Sequence, residues 1–399
     1  KEQRKMKSEN KIGLQKDKNE VEIKIILVFK YIIMAIIVGI VVGIIDTIFG
    51  RGLIEISDFR NKNYKFLLPF LPIAGLFITW MYHKFNELSL KGMTLVFETR
   101  QQKRNSIPLA LVPLVMVGTW ITHLFGGSAG REGVAVQIGA TLSHAFGKKL
   151  KMPDNSKVML ITGMAAGFGG LFQTPLTAVF FAIEVIVAGY MDYEAILPAM
   201  IGAFVASFTS HTLGLEKFEV NLNQTINMTD VNNVIVIIVL GVSFGIAGRL
   251  FSVLLHKAKV FMSKKIENPY MRIGVISIPL AICLLFIFSG RYTGLGTNLI
   301  SEALGGNEVY YYDWILKLLF TIATLAIGFQ GGEVTPLFSI GATLGVVLGS
   351  LLGISPIVCG ALGYAAVFGS ATNTLIAPIM IGIEVFGGTN MLPFVIVCV

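Results

Sequence analysis

The stretch Gly130 to Leu142, G-R-E-G-V-A-V-Q-I-G-A-T-L, returns from Gly332 to Leu344 as G-E-V-T-P-L-F-S-I-G-A-T-L. A second pair follows in the same order: G-M-A-A-G-F-G-G-L-F-Q-T from Gly163 and G-Y-A-A-V-F-G-S-A-T-N-T from Gly363. Both copies then run into Ile-Glu-Val, at Glu184 and Glu384. A chain built by duplication folds as two related halves. Duplicated apolar halves interrupted by glycine are a transporter pattern, with the binding site where the halves meet.

Composition sets the solvent. With 54% hydrophobic and only 14% charged residues and a mean hydropathy of +0.73, the chain carries more apolar surface than a soluble domain can hide. The fold class is therefore all-α, a polytopic membrane protein. Apolar runs extend from Ile25 to Phe49, Phe66 to Tyr82, Ile107 to Phe125, Val231 to Leu255, Ile273 to Ser289 and Trp314 to Phe329, each approaching the roughly 20 residues of a spanning helix. Shorter pieces at 133–146, 158–170, 174–190, 335–352, 361–368 and 374–386 are broken by Gly and Pro. They are expected as half-helices ending inside the membrane, which is tolerated only where the backbone lines a site.

Residues 1–24 differ sharply. Lys1, Arg4, Lys5, Lys7, Lys11, Lys16, Lys18 and Lys24 stand against Glu2, Glu9, Asp17, Glu20 and Glu22, as in a solvated basic tail. The basic bias puts this tail, and loops such as Lys148 to Lys151 and His256 to Lys265, on the cytoplasmic side of a cell membrane. The net charge of +8 is thus a topology signal rather than a nucleic-acid footprint. The first apolar run is full length and lacks a small-residue cleavage site, so it is expected to stay in the mature chain. Cys283, Cys359 and Cys398 stand singly in apolar segments and the histidines form no H-E-x-x-H pattern, so neither a disulfide framework nor a metal or other cofactor is expected.

Glu132 follows Gly126, Gly127 and Gly130 and opens a helical apolar stretch, which puts it in the first turn of a helix. An acid there gains about 0.3 to 1 kcal/mol from the dipole, whereas an ionised residue at bilayer depth costs at least about 2.5 kcal/mol. Capping alone does not justify the residue, and a role in an ion or proton pathway does. In the second half, Q-G-G-E-V-T-P from Gln330 again leads glycines into a helix start, with Pro336 in the first turn. Free amides of Gly133, Val134, Glu333, Val334 and Thr335 are expected to converge there. Two helix N-termini meeting make an anion site. A glutamate beside it can act as the anion itself, so that proton and anion compete for one place.

At these residues the chain resembles the CLC family of chloride channels and proton-coupled anion antiporters. G-R-E-G at Gly130 to Gly133, V-Q-I-G-A after it, and G-G-x-x-x-P ending at Pro336 match the family's second and third anion-site motifs, and with both repeat blocks the likeness covers nearly the whole membrane region. It implies a CLC-type fold over 25–399, with two antiparallel repeats of broken half-helices, about 25–213 and about 230–399. It also implies a homodimer in the lipid bilayer and Glu132 as gating glutamate and proton carrier. The family takes a tyrosine from a last helix beyond Val399, so that ligand is expected to lie outside this chain.

Three departures narrow the branch. The family's G-S-G-I-P is G-M-T-L-V from Gly92, so Met93 replaces an anion-binding serine. Glu333 stands in a motif position that is apolar in the chloride transporters, and Val185 stands where many chloride antiporters carry an internal proton-relay glutamate. Together they resemble the fluoride-exporting branch, which implies fluoride/proton exchange. The anion would sit among Met93, Gly133, Val134, Val334 and Thr335, with Glu333 as a proton relay. A chloride/proton antiporter or a passive chloride channel is the alternative within the family. Glu184 and Glu384, near helix ends, are expected as partly solvated acids in packing or dimer contacts. The enzyme alternative is an intramembrane serine hydrolase, because Gly126 to Gly130 fits G-x-S-x-G around Ser128 with His123 nearby. Such an elbow needs a preceding strand, and the preceding segment is apolar and helical.

Overall fold

The computed structural model describes the backbone of residues 2–153, 157–187 and 189–399, with side chains described at Glu22 and from Lys24 onward within those ranges. Among these residues the helices fall into two sets of eight. The first comprises α1 (Glu2–Leu67), α2 (Leu71–Phe85), α3 (Met93–Arg100), α4 (Leu111–Leu124), α5 (Glu132–Lys149), α6 (Lys157–Phe172), α7 (Pro175–Glu184) and α8 (Ile196–Thr212). An irregular stretch over 213–230 leads to the second. It comprises α9 (Val231–Lys265), α10 (Pro269–Phe286), α11 (Thr297–Leu304), α12 (Asp313–Ile327), α13 (Val334–Leu352), α14 (Pro356–Thr372), α15 (Ile376–Phe386) and α16 (Met391–Cys398).

The two sets repeat each other's packing. In the first, α5 lies on α6, and α1 contacts α6 and α8; in the second, α13 lies on α14, and α9 contacts α14 and α16. The α5–α6 crossing is so close that a Cβ on Gly139 would stand 2.0 Å from the Gly163 carbonyl oxygen, and the α13–α14 crossing gives the same 2.0 Å between Gly341 and the oxygen of Gly363. Only glycine allows this approach, the usual device of helices packed in lipid. Each set also turns the chain alike after these helices. Gln173 (φ +63°) ends α6 and Asn373 (φ +55°) ends α14 in the left-handed conformation, before α7 and α15 begin. Between the sets, α2 packs on α10 and α7 on α15.

Several expected boundaries change. The Ile25 to Phe49 run is the middle of α1, a 66-residue helix with a non-helical residue at Asn63. The helix continues back through the segment expected as a tail, whose residue Lys1 and side chains up to Val21 lie outside the described residues. The runs at Ile107 and Trp314 give helices of only 14 and 15 residues. Conversely, α13 is an unbroken helix of 19 residues, long and apolar enough to cross by length and composition. Its glycines do not interrupt it, because Gly341, Gly345 and Gly349 are the positions where α14 comes closest. A span at Tyr193–Thr212 has no counterpart among the expected runs, since Ser207, Thr209 and Ser210 dilute its apolar signal. The other segments long and apolar enough to cross are Lys24–Phe85, Val231–Lys265 and Pro269–Phe286.

Candidate functional site

The N-terminal ends of α5 and α13 meet at the centre of the two sets. Their preceding loops pair directly: Gly130 N–H donates to the Gly332 oxygen at 2.6 Å, and Gly332 N–H returns a bond to the Gly130 oxygen at 2.7 Å. Side chains are excluded by this pairing, for a Cβ on Gly130 would lie 2.8 Å from Pro336 Cδ and 3.0 Å from the Gly332 oxygen. Gly331 adopts φ +159° to enter it. The glycines flanking both motifs thus bring two helix ends together without intervening atoms.

Glu132, the first residue of α5, is fully buried and reaches across to the other half. Its Oε2 accepts from the Thr335 amide at 3.1 Å and the Thr335 hydroxyl at 2.5 Å, and from the Arg131 amide at 3.3 Å. Arg131 Nε stands 3.7 Å from Oε1, which otherwise has no hydrogen-bond partner. The carboxylate therefore occupies the first-turn donors of α13, where the dipole and free N–H groups favour negative charge. A small anion put in its place would meet the same amide and hydroxyl. Val134, Val334 and Thr335 are buried around this point, and Gly133 abuts Gly332, whose Cβ would lie 3.0 Å from the Gly133 nitrogen.

The side chains of two candidate residues take no part in these hydrogen bonds. Glu333 is the N-cap of α13, but its side chain is 43% exposed and pairs with Lys259 of α9 at 3.3 Å, away from the buried carboxylate. Met93 opens α3 after Gly92 (φ +50°) and packs, partly buried, against the main apolar core. The preceding Gly92 approaches α5 at Gln137, whose Oε1 would lie 3.2 Å from a Cβ on Gly92.

Gln137 was not singled out by motif reasoning, and its Oε1 is buried without a hydrogen-bond partner. Nor was the aromatic stack beneath the site: Phe338, one turn beyond Thr335, lies 4.0 Å and 6° from the Tyr364 ring and 5.4 Å from Phe172. Tyr364 is buried. The signal available in the sequence was the recurrence of aromatics in the second repeat block. Arg131 also lines a cavity of about 450 Å³ together with Arg60, Arg291, Asp58 and Glu302.

The acids closing the repeat blocks make packing contacts as expected, Glu384 partly exposed but Glu184 buried. Glu184, 5% exposed, accepts from the amides of Leu375 (3.2 Å), Ile376 (3.0 Å) and Ala377 (3.2 Å) at the start of α15. Glu384 accepts from the amides of Leu176 (3.0 Å) and Thr177 (2.8 Å) and the Thr177 hydroxyl (2.7 Å) at the start of α7. Each half caps a helix of the other.

The hydrolase geometry is not formed. Both ring nitrogens of His123 face backbone oxygens, of Thr119 at 2.8 Å and Ala129 at 2.9 Å, leaving none for Ser128. Ser128 is fully buried and follows a helix, not a strand.

Comparison with known proteins agrees with this geometry. Residues 74–399 match the family described as voltage gated chloride channel. A chloride/fluoride channel protein of Pseudomonas syringae pv. tomato is 33% identical over 368 residues, 90% of this chain and 80% of that one. The crystal structure of a CLC-type fluoride/proton antiporter superposes with a TM-score of 0.91 at 47% identity, over 93% of this chain and 94% of that one. A slow cyanobacterial Cl−/H+ antiporter shares the fold, with a TM-score of 0.78 at 18% identity over 92% of each chain. The chain is a multi-pass, all-α membrane protein and belongs to the CLC family of voltage gated chloride channels.

Proposed function

We propose that this protein exports fluoride in exchange for protons, with Glu132 as both gate and proton carrier. The observation that carries the reading is the fully buried Glu132 carboxylate bonded to the amide and hydroxyl of Thr335. Ionised, the carboxylate fills the donors at the α13 N-terminus. Protonated, it loses the charge that holds it there, and an anion takes the place. Fluoride suits an amide and a hydroxyl at close range, being small and strongly hydrated, and its conjugate acid is weak enough for proton coupling. Similarity to the fluoride/proton antiporter at 47% identity supports this choice over chloride, as do Met93, Val185 and Glu333 at their motif positions.

On this reading Glu333, half-exposed beside Lys259, passes protons between water and the site, while Met93 keeps a serine hydroxyl out of the anion path. Two copies form a homodimer in the bilayer, with the N-terminus and its basic residues cytoplasmic. The protein in liposomes, given a fluoride gradient, should move protons in the opposite direction, and chloride should drive far less. Fluoride flux without proton movement, or equal fluxes of both anions, removes the assignment.

A further inference from the structure

A second polar centre lies behind the loop that carries Glu132, and the exchange step described above leaves it without a role. Lys317, in the second turn of α12, is fully buried. Its Nζ stands 2.7 Å from the Gly294 oxygen, 2.9 Å from Ser128 Oγ and 3.4 Å from the Tyr292 oxygen. Two of these acceptors are carbonyls that can only accept, and the hydroxyl also contacts Thr321 Oγ1 at 3.0 Å. Three oxygens around one nitrogen satisfy all three N–H bonds of an ammonium.

These contacts fasten two loops. Gly294 pairs with Ser128, Ala129 N–H donates to the Gly294 oxygen at 3.2 Å, and Gly294 N–H donates to the Gly127 oxygen at 3.1 Å. Thr324 Oγ1 accepts from the Ser128 amide at 3.2 Å. The clamped loop, Gly127 to Gly130, stops two residues before Glu132, the first residue of α5. Lys317 also borders α13, since a Cβ on Gly296 would lie 2.7 Å from both Lys317 Cε and Ser339 Oγ.

Among the described residues no carboxylate is bonded to Lys317. The charged group that acts on it is Arg60 of α1, itself 5% exposed and bonded to the His123 and Asn61 oxygens. A buried cation without an acid partner is costly in a membrane. Through Ser128, Lys317 touches the loop that leads to Glu132, and Ser339, which it meets beside Gly296, lies about one turn of α13 beyond Thr335.

We infer that Lys317 is a positioning residue for exchange: it clamps the Glu132 loop and supplies a fixed positive charge that favours negative charge at the α13 N-terminus. This rests on the role proposed for Glu132. Other groups act on these two: Arg60 and His123 on Lys317's side, Arg131 and Tyr364 on Glu132's side.

The test uses the full chain with Lys317→Gln and Lys317→Arg, measuring fluoride binding by calorimetry and the pH profile of fluoride-driven proton uptake in liposomes. Lys317→Gln should bind fluoride about tenfold more weakly. Its pH midpoint should move upward, because losing a neighbouring positive charge makes Glu132 hold its proton more tightly. Lys317→Arg keeps the charge and should restore both. A folded Lys317→Gln protein with wild-type affinity and midpoint overturns the inference, as does a Lys317→Arg protein as impaired as Lys317→Gln. Where Lys317→Gln does not fold, Ser128→Ala decides: it removes one clamp contact and keeps the charge, so turnover should fall with the midpoint unchanged, and wild-type turnover overturns the clamp. Absence of fluoride-driven proton movement in the wild type would instead reject the proposed function, while the calorimetric comparison still tests Lys317.

Discussion

Carboxylates cross between the two halves at two places, and the places differ in symmetry. Glu184 and Glu384 occupy equivalent positions and cap each other's partner helices, α15 and α7, in a reciprocal exchange. At the centre the exchange runs one way. Glu132 enters the α13 N-terminus, while the α13 residue opposite it in the repeat is Val334, and Glu333 turns outward to Lys259. Reciprocal capping satisfies both helix ends permanently and suits a joint. One-sided capping leaves a carboxylate with one oxygen unpartnered, held by a charge that a proton cancels. Duplication produced both places, and the loss of symmetry sets the centre apart as the place proposed for exchange.

The largest effect expected is at the asymmetric place. Glu132→Gln should abolish proton coupling, because an amide neither carries the proton nor competes as a carboxylate for the Thr335 donors; anion movement stops or becomes passive. Proton pumping driven by fluoride in this mutant would erase the distinction between the two places.

At the symmetric place the loss should be in stability. Replacing Glu184 and Glu384 by Gln weakens charge-assisted bonds to helix-start amides, by about 1–2 kcal/mol each. Thermal unfolding of the double mutant should fall clearly below wild type while the number of protons moved per fluoride stays the same. A changed ratio with unchanged unfolding would mean that the reciprocal caps belong to the transport machinery.

A smaller effect is expected at Glu333. Its half-exposed pair with Lys259 contributes at most about 1 kcal/mol to stability, so Glu333→Gln should keep the fold and slow or uncouple exchange only through proton supply. Wild-type rate and coupling would reduce Glu333 to a helix-start acid. The smallest change should come from Met93→Ser, which is expected to erode the preference for fluoride over chloride without altering stability. An unchanged flux ratio exonerates Met93.

Much of this was legible before the fold was known, and the limits have physical causes. The repeat blocks announced the paired crossings α5–α6 and α13–α14, and the Q-T and N-T endings correspond to the left-handed turns at Gln173 and Asn373. The glycines of α13 were misread as interruptions, because a close helix contact and a helix break use the same residue. The serines and threonines of helix α8 lower its hydropathy; the Thr209 and Thr212 hydroxyls satisfy themselves on carbonyls of their own helix. Lys317 is a single charge within the apolar run from Trp314 to Phe329. Nothing local reveals that oxygens from Ser128, Tyr292 and Gly294 surround it.

What the sequence by itself determined is the class of solvent, the helical architecture and the duplication, and it named the candidate residues for an anion or a proton. These follow from hydropathy summed along the chain, from glycine and proline at particular places, and from motif order, all of which are local. The tertiary structure decided which carboxylate enters which helix end. Glu132 and Thr335 stand 203 positions apart, and Glu184 and Ile376 stand 192 apart. Whether an acid becomes a joint, a gate or a surface ion pair depends on the donors that long-range packing puts before it, and those donors belong to the other half of the molecule.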